Sequence, residues 1–181
     1  MSSSKINSDI MINGSLDDPA WLAATPVEIL FEIKPGDNSP ARQKTLVRSV
    51  YDDHSIYFSF LCYDTDPAKI RANLTDRDQI FNDDNAVVFL DLYHDTQKAI
   101  ELSVNPYGVQ GDRMITAEGE DASFDIIWYS ASQKHDSGWT AEFRIPFTSL
   151  HYPDTEQQVW GIHLGRKFPR ESEYTFSWAA I

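Results

Sequence analysis

Short segments in which apolar and polar residues alternate recur along most of the chain. Successive side chains of a strand point to opposite faces, so an alternation of period two predicts half-buried β-strands. The segments "TLVRSVY" and "SIYFSFLCY" are separated by residues 52–54, and this spacing predicts a hairpin. The segments "NAVVFLDLYHD" and "KAIELSVNP" flank residues 95–97 and predict a second hairpin.

Further alternating segments follow, each bounded by Gly, Pro, Asp or Ser: "GVQGDRMI", "DIIWYSASQKH", "GWTAEFRIPF", "VWGIHLGRKF" and "YTFSWAAI". In "LDDPAWLAA", Asp17 or Asp18 precedes Pro19 as a cap, which predicts a short helix. "DPAKIRAN" repeats that signal weakly, and "PFTSLH" fits one 3₁₀ turn. Many short antiparallel strands with Gly/Pro turns favour one domain over residues 1–181, a β-sandwich or barrel.

The polar positions of these strands form a pattern of their own. If the strands share one sheet, its outer face carries the following polar side chains: Asp91, Glu101, Ser103, Glu142, Arg144 and His163. One interpretation is a solvated sheet face with weak cross-strand ion pairs. The other is a polar floor that receives a ligand, and the pattern leaves both open.

Composition narrows the function classes. The net charge of −13 repels phosphate backbones and anionic membrane surfaces, so we expect no nucleic-acid partner. Cys62 is the only cysteine, which excludes an intramolecular disulfide, and its strand-like surroundings predict a buried, inert thiol. The polar start lacks the apolar region of a signal peptide. The abrupt end at "FSWAAI" is typical of a domain cut from a longer chain.

Several segments, in order, resemble carbohydrate-binding module family 9 and its relatives: "INGSLDDPAW", "VYDDHSIYFSFLCYDTDP", "DDNAVVFLDLYHD", "ELSVNPYGVQGD", "GWTAEFRIPFTSL" and "WGIHLGRKFPR". The resemblance covers the chain from about Asn13 to Trp178, with Asn13 standing where an Asp is commoner. "NPYGVQGD", "IPFTSL" and "WGIHLGRKF" together look most like a bacterial subgroup. Its domains stand N-terminal to a predicted outer-membrane β-barrel.

The resemblance implies an all-β fold, an antiparallel β-sandwich of jelly-roll or immunoglobulin-like type with one or two short helices. It also implies sugar binding without catalysis, and a structural calcium ion in some members. A location in the cell envelope, periplasmic or associated with the outer membrane, follows from the subgroup. The partners it implies are a carbohydrate ligand and the C-terminal β-barrel of the same chain.

Sugar binding requires flat aromatic faces and a few planar polar groups. Trp128 and Tyr129 are adjacent on a strand, so one of them should face outward, and Trp139 follows a turn. We expect these three as stacking platforms, although burial in the core is the alternative for each tryptophan.

Charged loop residues supply the expected polar contacts to the sugar. Arg77, Asp83 and Asp84 lie in the loop before the Asp91 strand, and Arg166 ends a later strand. The resemblance suggests that this Arg-Asp loop and this arginine recur in the subgroup. The alternative is a local set of salt bridges that staples the loop.

Calcium would require six to eight oxygens. Four acidic pairs are dense enough to contribute: Asp17-Asp18, Asp52-Asp53, Asp64-Asp66 and Asp83-Asp84. None has EF-hand spacing, so ligands from two or more turns would be needed.

Catalysis has one candidate constellation. Asp91, Glu101 and Glu142 on neighbouring strands would match the carboxyl spacing of glycoside hydrolysis. An open sheet face, however, offers neither a buried acid nor a cleft that excludes water. The sequence therefore favours a non-catalytic carbohydrate-binding domain. A domain that docks on the rest of its own chain or on a partner is the alternative, and a glycosidase-like enzyme comes third.

Overall fold

The chain folds into two β-sheets packed face to face, as seen in a computed structural model that describes residue 1 and residues 3–181. Sheet A contains β1 (Ser4–Lys5), β2 (Val27–Glu28), β5 (Thr45–Tyr51), β6 (Ser55–Tyr63), β11 (Tyr129–His135) and β12 (Gly138–Pro146). Sheet B contains β3 (Phe31–Lys34), β4 (Ser39–Pro40), β7 (Asn85–Asp91), β8 (Lys98–Val104), β9 (Gln110–Thr116), β10 (Gly119–Asp121), β13 (Gly161–Pro169) and β14 (Glu173–Ser177).

Strand pairing is antiparallel throughout sheet B, in the order β10-β9-β8-β7-β13-β14-β3-β4. Sheet A has the order β1-β5-β6-β12-β11, with β2 beside β5 and the short β1 parallel to β5. The two predicted hairpins are confirmed as β5–β6 and β7–β8. The predicted all-β sandwich is therefore confirmed.

Helical structure is confined to short pieces. Helix α1 (Pro19–Ala23) begins after Asp18, whose Oδ1 accepts a hydrogen bond from the Ala20 backbone N–H at 2.8 Å. The "DPAKIRAN" segment forms only a 3₁₀ turn over Pro67–Lys69, and "PFTSLH" forms one over Phe147–Ser149. Among the described residues, no helix combines the length and apolar character needed to cross a membrane.

The main core fills the space between the sheets with the alternate residues of each strand. Sheet A contributes Phe58, Phe60 and Phe143, and sheet B contributes Val88 and Leu102, all without exposed surface. Together such side chains provide the hydrophobic stabilisation of the sandwich.

Cys62 is buried in this core, as predicted, and burial raises the pKa of its thiol to about 12. A thiol that stays protonated and out of contact with solvent is unreactive.

A second, smaller core covers the outer face of sheet A. The N-terminal segment lies across that face, and Ile10 and Trp21 pack against Val50 and Tyr57. One outer face of the sandwich is thus closed by the chain's own N-terminal residues.

The condition that the polar strand positions share one sheet is not met. Glu142 and Arg144 lie on β12 of sheet A, whereas Asp91, Glu101 and His163 lie on β7, β8 and β13 of sheet B. Alternation along a strand separates the two faces of that strand, but it does not assign the strand to a sheet. A sandwich has two outer faces, and these residues are divided between them.

The solvated-face interpretation is also wrong for three of these residues. Glu101 is 4% exposed, and Ser103 and Glu142 are fully buried. Arg113 covers Glu101 through an ion pair at 2.8 Å, and the N-terminal segment covers Glu142. Burial comes from side chains and segments distant in sequence, which the alternation does not reveal.

Candidate functional site

An open cleft of about 580 Å³ lies at the end of the sandwich where β11 begins and β12 ends. Its walls are residues 10–12 of the N-terminal segment, Gly108 in the turn before β9, Gln110 at the start of β9, residues 128–130, Arg77 and Arg144. The volume is within the usual range for small-ligand sites. Three of the residues predicted to bind sugar, Arg77, Trp128 and Tyr129, thus line one cleft.

The two adjacent aromatic residues point to opposite sides, as expected of neighbours on a strand. Trp128 is 3% exposed and stacks on Phe143 with ring centroids 5.4 Å apart and planes 9° apart. Tyr129, the first residue of β11, is 51% exposed. Tyr129 is therefore the aromatic face that this cleft offers to a ligand, and the Trp128 ring belongs to the core.

Arg77 is held in the cleft wall by several acceptors. Its Nε and Nη2 donate to Asp112 Oδ1 at 2.9 and 2.6 Å, and Nη2 also donates to the Ile126 carbonyl at 2.8 Å. A second carboxylate, that of Asp125, lies 2.9 Å from Nη2. The positive charge of Arg77 is thus balanced within the protein.

Asp112 anchors this wall from inside. Burial raises the pKa of its carboxyl, and the hydrogen bond from the Ile126 N–H and the nearby Arg77 charge oppose that rise. Gln110 joins the same network, because it accepts from Arg77 Nη1 at 2.9 Å and donates to the Trp128 carbonyl at 3.1 Å. The wall is therefore preorganised.

Arg144 differs from Arg77 in the partners of its guanidinium. On sheet A it pairs with Tyr129 of β11 on one side and with Tyr57 of β6 on the other. Both tyrosine rings lie near its guanidinium carbon, at 5.8 and 5.9 Å, and its Nε donates to Ser55 Oγ at 3.3 Å. Within the described part of the chain, no carboxylate lies within 4.0 Å of this guanidinium.

Sequence reasoning missed Arg144 as a site residue and treated it as a partner for nearby carboxylates. Recognising it required the register in which Tyr129 of β11 faces Arg144 of β12. The short turn at Gly138 between these two segments was the only signal available in the sequence.

Asp83 and Asp84 lie away from the cleft, in a buried polar cluster. Asp83 accepts hydrogen bonds from the Asn73 side chain at 2.7 Å and from the Asn105 side chain at 2.9 Å. Asp84 accepts from the Arg71 N–H at 2.8 Å and from Arg170 Nη1 at 2.7 Å. This geometry matches the alternative interpretation, in which local contacts staple the loop.

Arg166 and Trp139 face the core. Arg166 lies within β13 on the same side as the core residue Leu164, is fully buried, and donates to Thr45 Oγ1 at 3.0 Å and to the Tyr63 carbonyl at 2.8 Å. Trp139 is likewise fully buried. Neither offers a surface to a sugar, so the structure corrects both expectations: each side chain points inward in the alternation of its strand.

The family model described as "Carbohydrate family 9 binding domain-like" matches residues 12–166. The chain belongs to this family. The predicted family resemblance is thereby confirmed, whereas the subgroup with an outer-membrane β-barrel stays a prediction. No curated protein matches the chain.

Solved structures share the fold of this family 9 domain at low sequence identity. A family 9 module from Caldicellulosiruptor kristjanssonii in complex with cellotriose has a TM-score of 0.69 at 16% identity, over 97% of this chain and 81% of that one. The same organism's module in complex with glucose gives 0.70 at 15%, over 96% and 83%. A putative carbohydrate-binding protein from Bacteroides uniformis gives 0.74 at 12%, over 100% and 89%.

The acidic pairs of this family 9 domain do not assemble into a calcium cage. Asp84 and Asp64 bind Arg170, Asp18 caps α1, and Asp52 accepts from the Tyr57 hydroxyl at 2.7 Å. Across residue 1 and residues 3–181, no group of three or more acidic, His or Cys side chains is arranged to hold a metal ion. Calcium binding stays a prediction from the resemblance, and these pairs do not fit it.

The three carboxylates considered for catalysis do not come together in one site. Asp91 ends β7 and accepts the Thr96 N–H at 2.9 Å, Glu101 pairs with Arg113, and Glu142 accepts Trp21 Nε1 at 2.8 Å under the opposite sheet face. Two of them lie on sheet B and one on sheet A. At the family level, family 9 domains are non-catalytic modules.

Proposed function

We propose that this domain is a non-catalytic carbohydrate-binding domain whose ligand occupies the cleft at Tyr129 and Arg144. The observation that carries the proposal is the juxtaposition of a half-exposed tyrosine ring with an arginine that lacks a carboxylate partner among the described residues. An aromatic face packs on the C–H face of a pyranose, and guanidinium N–H groups donate to its oxygens.

One wall of the cleft is also fixed in place before a ligand binds. Arg77, Asp112 and Gln110 hold one wall in place, so little ordering is required when a ligand binds. The relatives solved with cellotriose and glucose support a gluco-configured ligand of one to three sugar units as the first to test.

Two wider proposals rest on the family resemblance alone. They place the domain in the cell envelope and give it the β-barrel of its own chain as a partner. Fractionation of cells that express the native protein, with detection of the domain in the membrane fraction, tests them. Exposed apolar surface near Trp178 and the C-terminal edge would favour the docking alternative; Trp178 packs partly buried against the core, whereas Ile181 is 75% exposed.

Calorimetric titration with glucose and cellotriose tests the proposed cleft. We expect saturable binding that weakens about 3- to 10-fold or more in Tyr129→Ala, since the ring contributes an aromatic contact. Tyr93→Ala is the matched control, because Tyr93 is 44% exposed and does not line this cleft. If no sugar in a broad panel binds the wild-type domain, carbohydrate binding is rejected. Equal losses in both variants would reject the cleft as the site.

A further inference from the structure

We propose that the cleft selects glycans that carry a carboxylate, namely uronic-acid residues, and that Arg144 binds that carboxylate. This inference rests on the proposed carbohydrate function and specifies its ligand class. It follows from the charge balance of the cleft, in which one arginine is neutralised and the other is not.

The two cleft arginines differ in their partners. Arg77 contacts the Asp112 carboxylate at 2.6 Å and that of Asp125 at 2.9 Å. Arg144 has, in the described structure, a single polar partner, the neutral Ser55 hydroxyl at 3.3 Å. The cleft therefore presents one uncompensated positive charge on a half-buried side chain.

The surroundings hold this charge in position. Strand pairing on both sides places Arg144 between Tyr57 and Tyr129, and the bond to Ser55 uses only Nε. Both terminal nitrogens, Nη1 and Nη2, are left for a ligand in the cleft that Arg144 lines. A guanidinium held in this way can form the paired hydrogen bonds that a planar carboxylate accepts.

A uronate meets both requirements of the site better than a neutral sugar. Its pyranose ring keeps the C–H face that packs on Tyr129, and its carboxylate compensates the charge of Arg144. The chain as a whole carries a net charge of −13, so general attraction of anions does not explain such a preference. Selectivity for the carboxylate has to come from the local contact.

Matched ligands test the inference directly. Calorimetric titration of the wild-type domain would compare trigalacturonate and triglucuronate with their methyl esters, which keep the ring and remove the charge, and with cellotriose. We expect a free uronate to bind at least about 10-fold more tightly than its ester, as for one hydrogen-bonded charge pair.

Matched variants locate the effect. Arg144→Gln should abolish the difference between uronate and ester, whereas Arg144→Lys should retain part of it. Arg71→Gln removes the same charge from an exposed arginine outside the cleft and should leave the difference intact.

The failure of the inference differs from the failure of carbohydrate binding. If cellotriose and the esters bind as well as the uronates, the proposed function stands and the uronate inference is overturned. If a uronate preference persists in Arg144→Gln, the assignment to Arg144 is overturned. If no glycan of either kind binds, both proposals are rejected.

Discussion

The two regions that concentrate arginine in this domain are built on opposite principles. In the closed cluster, Arg170 contacts Asp64 and Asp84, and the aspartate side chains are 1% and 0% exposed. In the open cleft, Arg144 stands beside a half-exposed tyrosine and has no carboxylate within salt-bridge distance in the described structure. The first region has its counter-charges within the chain, and the second leaves a charge for a ligand.

This difference shows which arginines serve the fold and which serve binding. Desolvating a charge is costly, so a buried arginine requires a protein partner in the folded state. A half-buried arginine can rely on solvent until a ligand arrives. Pairing and burial, rather than residue type, therefore separate structural from functional charge here.

The largest effect is expected from breaking the closed cluster. Asp84→Ala leaves Arg170 with Asp64 as its one carboxylate partner among the described residues and removes the acceptor of the Arg71 N–H. Loss of one member of a buried charge pair should lower the free energy of unfolding by about 3–5 kcal/mol. Urea denaturation followed by tryptophan fluorescence measures this loss.

The matched control for Asp84→Ala is an ion pair at the surface. Asp53 contacts Lys5 at 2.6 Å, and the Asp53 side chain is 75% exposed. Asp53→Ala should change the free energy of unfolding by less than about 1 kcal/mol. If the two substitutions destabilise equally, the closed cluster has no special role in the fold.

An intermediate effect is expected at Arg77, which lines the cleft but is paired like the cluster arginines. Arg77→Gln leaves the buried Asp112 carboxylate without its arginine partner. Because the Arg77 side chain is 34% exposed and solvent screens its charge, the free energy of unfolding near pH 7 should fall by only about 1–2 kcal/mol. Comparison of urea midpoints at pH 7 and pH 4 measures it.

The pH dependence of this loss has a definite sign. The folded-state pKa of Asp112 is already raised by burial, and removal of Arg77 raises it further. An acid with a raised pKa stabilises the fold below its unfolded pKa, and that contribution is lost as pH rises through the folded pKa. The destabilisation by Arg77→Gln should therefore shrink toward acid pH. A loss that grows toward acid pH would contradict the assigned role of Asp112.

The two hairpins could be predicted from the sequence because their paired strands are neighbours along the chain. The β5–β6 and β7–β8 pairs follow from alternation and from turns of a few residues. The pairing of β6 with β12, which puts Glu142 in sheet A, joins residues roughly 75 to 91 positions apart, and no local signal specifies it. This is why the alternation alone could not tell whether Glu142 and Glu101 share a face, and they lie on opposite faces of the sandwich.

The candidate site could be predicted only in part, again because contacts between segments distant in sequence leave no local signal. The adjacency of Trp128 and Tyr129 guaranteed that one ring faces outward, and the structure shows that it is Tyr129. Whether a charged residue near a strand end points inward, as Arg166 does, depends on its register in the strand. Burial by segments distant in sequence decides the rest, and alternation carries no information about it.

The smallest effect on stability is expected at Arg144, and it sharpens the contrast with Asp84. Arg144→Gln removes one 3.3 Å hydrogen bond to the buried, neutral Ser55 hydroxyl and distant contacts with two tyrosine rings, so no buried charge is left uncompensated. The free energy of unfolding should therefore change by no more than about 0.5 kcal/mol, with an unchanged denaturant slope. A loss above about 1.5 kcal/mol would make Arg144 a structural residue like Arg170. An unchanged free energy of unfolding, together with loss of uronate binding, would mean that the charge of Arg144 serves the ligand and not the fold.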